Sequence, residues 1–218
     1  MEELVNNLKR DGVLRTPAII DAFLKNDRAR FVWPEYSKQA YVDVPLPVKK
    51  GQTISQPYTV AFMLELLAPE KGQTILDVGF GSGWTTALLS SIVGAGGRVF
   101  AMEVLPEVYA FGERNLAKLK RKNIRLCLGS GRGGWPERGP FDRILVSAAA
   151  REVPEELKKQ LKAGGKMVLP IGGEAVYNFA SWQAQPFYQQ DLKLIKKYSE
   201  NEFDERDFPG FAFVPLIK

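Results

Sequence analysis

Thr74 to Thr86 reads TILDVGFGSGWTT, and this stretch decides the fold. Ile75, Leu76 and Val78 make an apolar run suited to a strand buried on both faces, as in a parallel sheet. Gly79, Gly81 and Gly83 follow on alternate positions, which permits a tight turn and a close approach of backbone to a ligand. The residues after them predict a helix beginning near Trp84, with Ser82 as its cap. Strand, glycine turn and helix N-terminus are the parts of a nucleotide-cofactor site, because the free amides of a first helical turn point at the ligand.

The spacing narrows the cofactor. A dinucleotide fingerprint reads GxGxxG, whereas this turn reads GxGxG with Asp77 two residues before its first glycine. A second acid, Glu103, lies near the end of the next apolar run, RVFAMEV, one helix and one returning strand later. A carboxylate at that place accepts hydrogen bonds from both hydroxyls of a ribose. Acid, glycine turn and second acid resemble the cofactor site of class I S-adenosylmethionine (SAM) methyltransferases.

Composition sets outer bounds. The chain of 218 residues is 45% hydrophobic and 25% charged, an ordinary globular balance for one domain. Its formal charge of +5 is scattered, as at Lys118, Lys120, Arg121 and Lys122, and reads as solvated helix ends rather than a nucleic-acid surface. The single cysteine, Cys127, lies in an apolar run and reads as a small core residue, with no disulfide possible within the chain. Histidine is absent, which removes His-dependent catalysis and His metal sites, and no metal is expected. The first ten residues lack an apolar signal core, and no apolar run reaches transmembrane length. These features predict a cytoplasmic protein with no membrane contact; the oligomeric state stays open, with a monomer favoured.

Residues 1–25 predict two helices, the second capped by Thr16 with Pro17 at its first position. Prolines and aromatics break any period over residues 26–50. The stretch GQTISQPY, residues 51–58, precedes the apolar helix VAFMLELLA. Ser55 suits an N-cap there, with Pro57 just inside. The hydroxyls of Thr53 and Ser55 would then flank a positive helix end, a place that receives a carboxylate. Farther on, residues 105–120 have helical spacing. IRLCL (124–128), RILVSA (143–148) and KMVLPI (166–171) predict strands, and a short helix over 154–161 is expected to end at Gly164-Gly165. VYNFASW, LKLIKKYS and FAFVPLI predict a hairpin and edge strands. The alternation predicts an α/β fold: a doubly wound, mostly parallel sheet with helices on both faces. One domain over residues 1–218 is expected, with an N-terminal helical cap over the cofactor cleft (1–58), a SAM-binding core (59–173) and C-terminal strands (174–218).

Residues 31–61, FVWPEYSKQAYVDVPLPVKKGQTISQPYTVA, resemble the N-terminal region of bacterial-type protein-L-isoaspartate O-methyltransferases, GQTISQPY most closely. LDVGFGSGW, Glu103, GSG at 129–131, FDRILVSAAAREVPEEL, LKAGGKMVLPIGG and FAFVPL continue the likeness in order, most weakly over 174–210. The resemblance implies a SAM-dependent carboxyl methyltransferase. Its partners would be damaged proteins and peptides carrying L-isoaspartate, whose methyl ester leads through a succinimide back toward aspartate. It assigns the cofactor to Gly79, Gly81, Gly83, Asp77, Glu103, Ser130 and Gly131. Ser55, with Thr53 beside it, would meet the substrate carboxylate and orient the attacking oxygen.

Two departures stand out. Ser130 occupies the place of the family's usual aspartate, which predicts weaker cofactor binding by roughly 1 kcal/mol, since a hydroxyl accepts without charge assistance. Ser147 stands where threonine is common. Two other readings stay open at this stage: a methyltransferase with another acceptor, and a SAM-binding protein without turnover. SAAAREVP lacks the Asp/Asn-Pro-Pro-Tyr type motif of base amino methylation, which weighs against a nucleic-acid acceptor.

Overall fold

The computed structural model describes residues 1–173 and 190–217, together with the backbone of Tyr177–Asn178 and Gln183–Ala184. Two N-terminal helices, α1 (Glu2–Arg10) and α2 (Pro17–Lys25), lead through two short 3-10 turns to a two-stranded hairpin, β1 (Leu46–Pro47) and β2 (Thr53–Ile54). Then come α3 (Pro57–Leu67), β3 (Thr74–Val78), α4 (Trp84–Val93), β4 (Arg98–Glu103), α5 (Pro106–Ala117), β5 (Ile124–Leu128), β6 (Phe141–Val146), α6 (Glu155–Lys159) and β7 (Leu161–Ile171). The chain ends with a small pair, β8 (Tyr177–Asn178) and β9 (Gln183–Ala184), and the strands β10 (Gln190–Lys197) and β11 (Phe203–Phe211). The other residues of VYNFASW lie outside the described residues.

Seven strands form one sheet in the order β11-β10-β7-β6-β3-β4-β5. The five from β3 to β7 in chain order run parallel, while β10 and β11 are antiparallel additions at one edge. The order reverses between β3 and β6, and open α/β sheets bind ligands at such a switch point, outside the carboxyl ends of the strands. Successive side chains of β3 explain its unbroken apolar run. Ile75 packs into the core shared with α3 and α4, and Leu76 and Val78 into a second core with Phe141, Leu157 and Leu161. No helix among the described residues is long and apolar enough to cross a membrane.

Several local expectations are corrected, because side chains expected to act locally bond elsewhere or a distant residue takes their place. Thr16 is the N-cap residue of α2, with Pro17 opening the helix as expected, but its side chain makes no cap hydrogen bond. Its hydroxyl donates to Glu65 Oε2 at 2.7 Å, and Glu65 Oε1 accepts from the amides of Arg15 and Thr16 at 2.8 Å each. Ser55 does not cap α3, whose N-cap is Gln56. Asp43 Oδ1 accepts from the Tyr58 amide at 2.7 Å, so a carboxylate already sits at that helix end. Ser82 accepts from the Trp84 amide only at a long 3.4 Å, and Gly83 is the boundary residue of α4.

Gly164-Gly165 lie within β7 rather than at the end of α6. There the register with β6 jumps from Phe141–Leu161 to Arg143–Lys166, and Gly164 takes φ +78° to absorb the extra residues. The terminal FAFVPLI forms no edge strand beyond Phe211. It turns back across the strand ends, where Ala149 donates to Val214 O and Leu216 donates to Ala149 O, both at 2.8 Å. Fully buried Gln190 holds it, accepting from the Phe213 amide at 2.6 Å and donating to the Phe213 carbonyl at 3.2 Å.

Candidate active site

A cleft of about 740 Å³, open mouth included, lies at the switch point. Residues 52–55 form one wall; residues 78–82 with Trp84 and Thr85 form the floor; residues 102–105 form the opposite wall. Gly131, Ser147, Ala148 and the tail 214–217 complete the lining. Of the segment expected to cover the cleft, residues 52–55 reach it, while α2 packs on α4 behind the floor.

The glycine turn has the geometry its sequence implies. Gly79, Gly81 and Gly83 have φ of +78°, +53° and +88°, a region that side chains rarely tolerate. The turn is bonded to the neighbouring strand: the amides of Gly79 and Phe80 donate to Met102 O at 2.8 and 3.2 Å. Gly81 N donates to Glu103 Oε2 at 3.1 Å. Glu103 Oε1 accepts from the amides of Val104 and Leu105 at 2.9 and 3.1 Å, so this buried carboxylate is held rigidly on the cleft wall.

Not every expected residue lines the cleft. Gly83 serves packing, since a Cβ there would lie 2.8 Å from Leu116 Cγ on α5. Gly131 lines the cleft beneath Val78, into whose side chain a Cβ would run. Ser130, the departure from the family pattern, is exposed and does not line it. Asp77 lies fully buried behind the turn, accepting from the hydroxyls of Thr86 at 2.6 Å and Thr85 at 3.2 Å through Oδ2. Burial raises its pKa to about 6; the two threonine hydroxyls pull it down, and Glu103 nearby pushes it up. Among the described residues its Oδ1 is buried without a partner, and so is the Ser147 hydroxyl on the cleft wall.

Sequence reasoning missed several parts. Gly112 on α5 leaves room for the turn, since a Cβ there would run into Gly81 O and Phe80. The tail residues 214–217 carried no signal beyond the resemblance. Arg28, in the turn Arg28–Phe31, is a fully buried guanidinium that no local pattern marks out.

The family description protein-L-isoaspartate(D-aspartate) O-methyltransferase matches residues 1–218. The chain belongs to this family. A protein-L-isoaspartate O-methyltransferase of Pyrococcus abyssi is 41% identical over 213 residues, covering 98% of this chain and 92% of that one. One from Methanopyrus kandleri is 42% identical over 217 residues, covering 99% and 90%. A family crystal structure from Plasmodium falciparum, in complex with S-adenosyl-L-homocysteine, superposes with a TM-score of 0.82 at 25% identity, covering 99% of this chain and 97% of that one. Both named sequence relatives are archaeal, so the bacterial-type likeness of residues 31–61 stays a resemblance within the family. The fold expectation, a doubly wound and mostly parallel SAM methyltransferase sheet, agrees with the topology and with this structural relative.

Proposed function

We propose that this chain uses SAM to methylate the free α-carboxylate of L-isoaspartyl residues in damaged proteins and peptides, starting repair through a succinimide. The observation that carries this reading is that residues 52–55, with Thr53 and Ser55, line one cleft together with the glycine turn and Glu103. Acceptor and cofactor walls are thereby within one small molecule of each other.

The cleft suits SAM on its own features. It pairs a rigid wall carboxylate with a glycine turn free of side chains, and its buried polar atoms Asp77 Oδ1 and Ser147 Oγ lack partners. Glu103 would hold the ribose, Gly79 and Gly81 would let the backbone approach the methionine part, and Gly131 would give the adenine side its room. When bound, the cofactor supplies a methyl group already activated by a sulfonium. The chain's own task is then placement and the exclusion of water.

An isoaspartyl α-carboxylate is ionised at neutral pH and needs no general base, in keeping with a chain that has no histidine. Ser55 orients its attacking oxygen, and Thr53 stands beside it. Asp43 already occupies the α3 N-terminus, so the hydroxyls rather than that helix end receive the substrate. Ser130 is exposed beside Gly131, which lines the cleft, and the reading with turnover rests on Ser55 and Thr53 rather than on Ser130. We further propose that the chain acts as a monomer away from membranes and nucleic acid.

Labelled SAM, offered with an L-isoaspartyl peptide and its normal aspartyl counterpart, tests the reading. Base-labile label on the isoaspartyl peptide alone is the expected result. Label on neither peptide, with cofactor binding intact by calorimetry, overturns it in favour of another acceptor.

A further inference from the structure

Arg28 is fully buried, yet among the described residues no carboxylate bonds its guanidinium. Nη1 donates to the carbonyls of Ala40 at 2.9 Å and Val42 at 3.3 Å. Nη2 donates to Val44 O at 2.9 Å and to Ser55 O at 3.1 Å. The guanidinium also lies over the ring of Trp84, 5.5 Å from its centroid. Trp84 is the first residue of α4 and lines the cleft, and its indole N–H donates to Asn26 O at 2.9 Å, two residues before Arg28.

A single side chain therefore touches the acceptor wall and the floor. On one side it gathers the carbonyls of Ala40, Val42 and Val44 with that of Ser55 in the acceptor wall. On the other it stacks on the residue that directly follows the glycine turn. Burying a cation this way is expensive, and an ordinary core would fill the volume with apolar groups. What the arrangement supplies is geometry: a planar fork with fixed donor directions sets four carbonyls relative to one ring, which a flexible ammonium cannot do. Burial lowers the Arg28 pKa to about 10, with the charge of Asp43 opposing the shift, so the group stays cationic at neutral pH.

We infer that Arg28 is a positioning residue for the methyl acceptor, holding the Ser55 hydroxyl at a set distance from the cofactor floor. This rests on the reading of Ser55 given above. Arg28 touches neither substrate nor cofactor in this scheme; it acts through Ser55 and Trp84.

The test compares Arg28→Lys, Ser55→Ala and the double variant. Turnover of the isoaspartyl peptide is expressed per cofactor site titrated with S-adenosylhomocysteine, so that unfolded protein does not count. Arg28→Lys is expected to lose roughly 10- to 100-fold in kcat, as small misplacements of reacting groups do, with the S-adenosylhomocysteine Kd within about twofold. The double variant should be no slower than Ser55→Ala, because both changes act on the same hydroxyl. Arg28→Gln, which keeps the amide donors but not the fork, is the second variant and should be at least as slow as the lysine form.

Full turnover per site in both Arg28 variants, with Ser55→Ala slow, overturns the inference alone. Full turnover in Ser55→Ala removes the reading beneath it. Losses that multiply in the double variant, a parallel loss of cofactor affinity, or failure of both Arg28 variants to fold would assign Arg28 to general stability and overturn the inference too.

Discussion

Gly81 and Glu103 are bonded to each other: the amide at the centre of the glycine turn donates to the carboxylate that ends β4 at 3.1 Å. One carboxylate thus shapes the turn and offers its remaining acceptor capacity to the cleft. Glu103→Ala is expected to weaken S-adenosylhomocysteine binding by roughly tenfold or more, the worth of a hydrogen bond to a charged group. Calorimetric titration checks this, and an unchanged Kd would refute it.

Gly112 is as necessary to the turn as the glycines within it, although it lies on α5. A Cβ at 112 meets Gly81 O and the Phe80 ring. Gly112→Ala should destabilise the fold by about 1–3 kcal/mol through overpacking and weaken cofactor binding with it. Gly96→Ala, where nothing lies within 4 Å of the new methyl, is the matched control. Denaturant midpoints and cofactor Kd measured on both variants should separate them.

Ser147 carries a buried hydroxyl with no partner on the cleft wall. Leaving it unmatched disfavours the ligand-free fold, so Ser147→Ala should gain roughly 1 kcal/mol, or about 2–4 °C in Tm. If the hydroxyl meets a bound ligand, the same change lowers the affinity for that ligand. Scanning calorimetry with and without S-adenosylhomocysteine reads both effects, and a lower Tm without ligand would contradict the first.

Asp77 gives the ligand-free protein an unusual pH dependence. Its folded pKa of about 6 exceeds the ordinary 3.8, so between these values the folded state holds a proton that the unfolded chain releases. Stability from this group is therefore full below about pH 4 and is lost as pH rises to about 6, by an amount on the order of 3 kcal/mol. Asp77→Asn should lack this component. Urea unfolding from pH 4 to 7 compares the two slopes, and identical slopes would reject the assignment.

The division between sequence and structure follows the range of the interactions. The doubly wound, mostly parallel sheet was legible because apolar runs, glycine turns and helical spacing are local patterns, whereas the order of its strands came only from the structure. The spacing of Gly79, Gly81 and Glu103 pointed to residues that line one cleft, with Asp77 buried behind the turn. The helix N-termini were read only in part because the sequence shows only nearby candidates: Thr16 is the N-cap residue of α2 but its hydroxyl bonds Glu65, 49 residues away, and the carboxylate at the start of α3 is Asp43, 15 residues before Tyr58.

What the sequence by itself determined is a doubly wound sheet, the place of the cofactor turn within it and, through GQTISQPY, the family. Only the tertiary structure decided which residues share the cleft. It brought residues 52–55 and the tail 214–217 to the strand ends, left the Ser130 side chain outside, and set Arg28 between Ser55 and Trp84. The reason is physical: a buried guanidinium bonded to carbonyls, and a glycine chosen for a neighbouring helix, answer to atoms distant in the chain, and no local pattern records them.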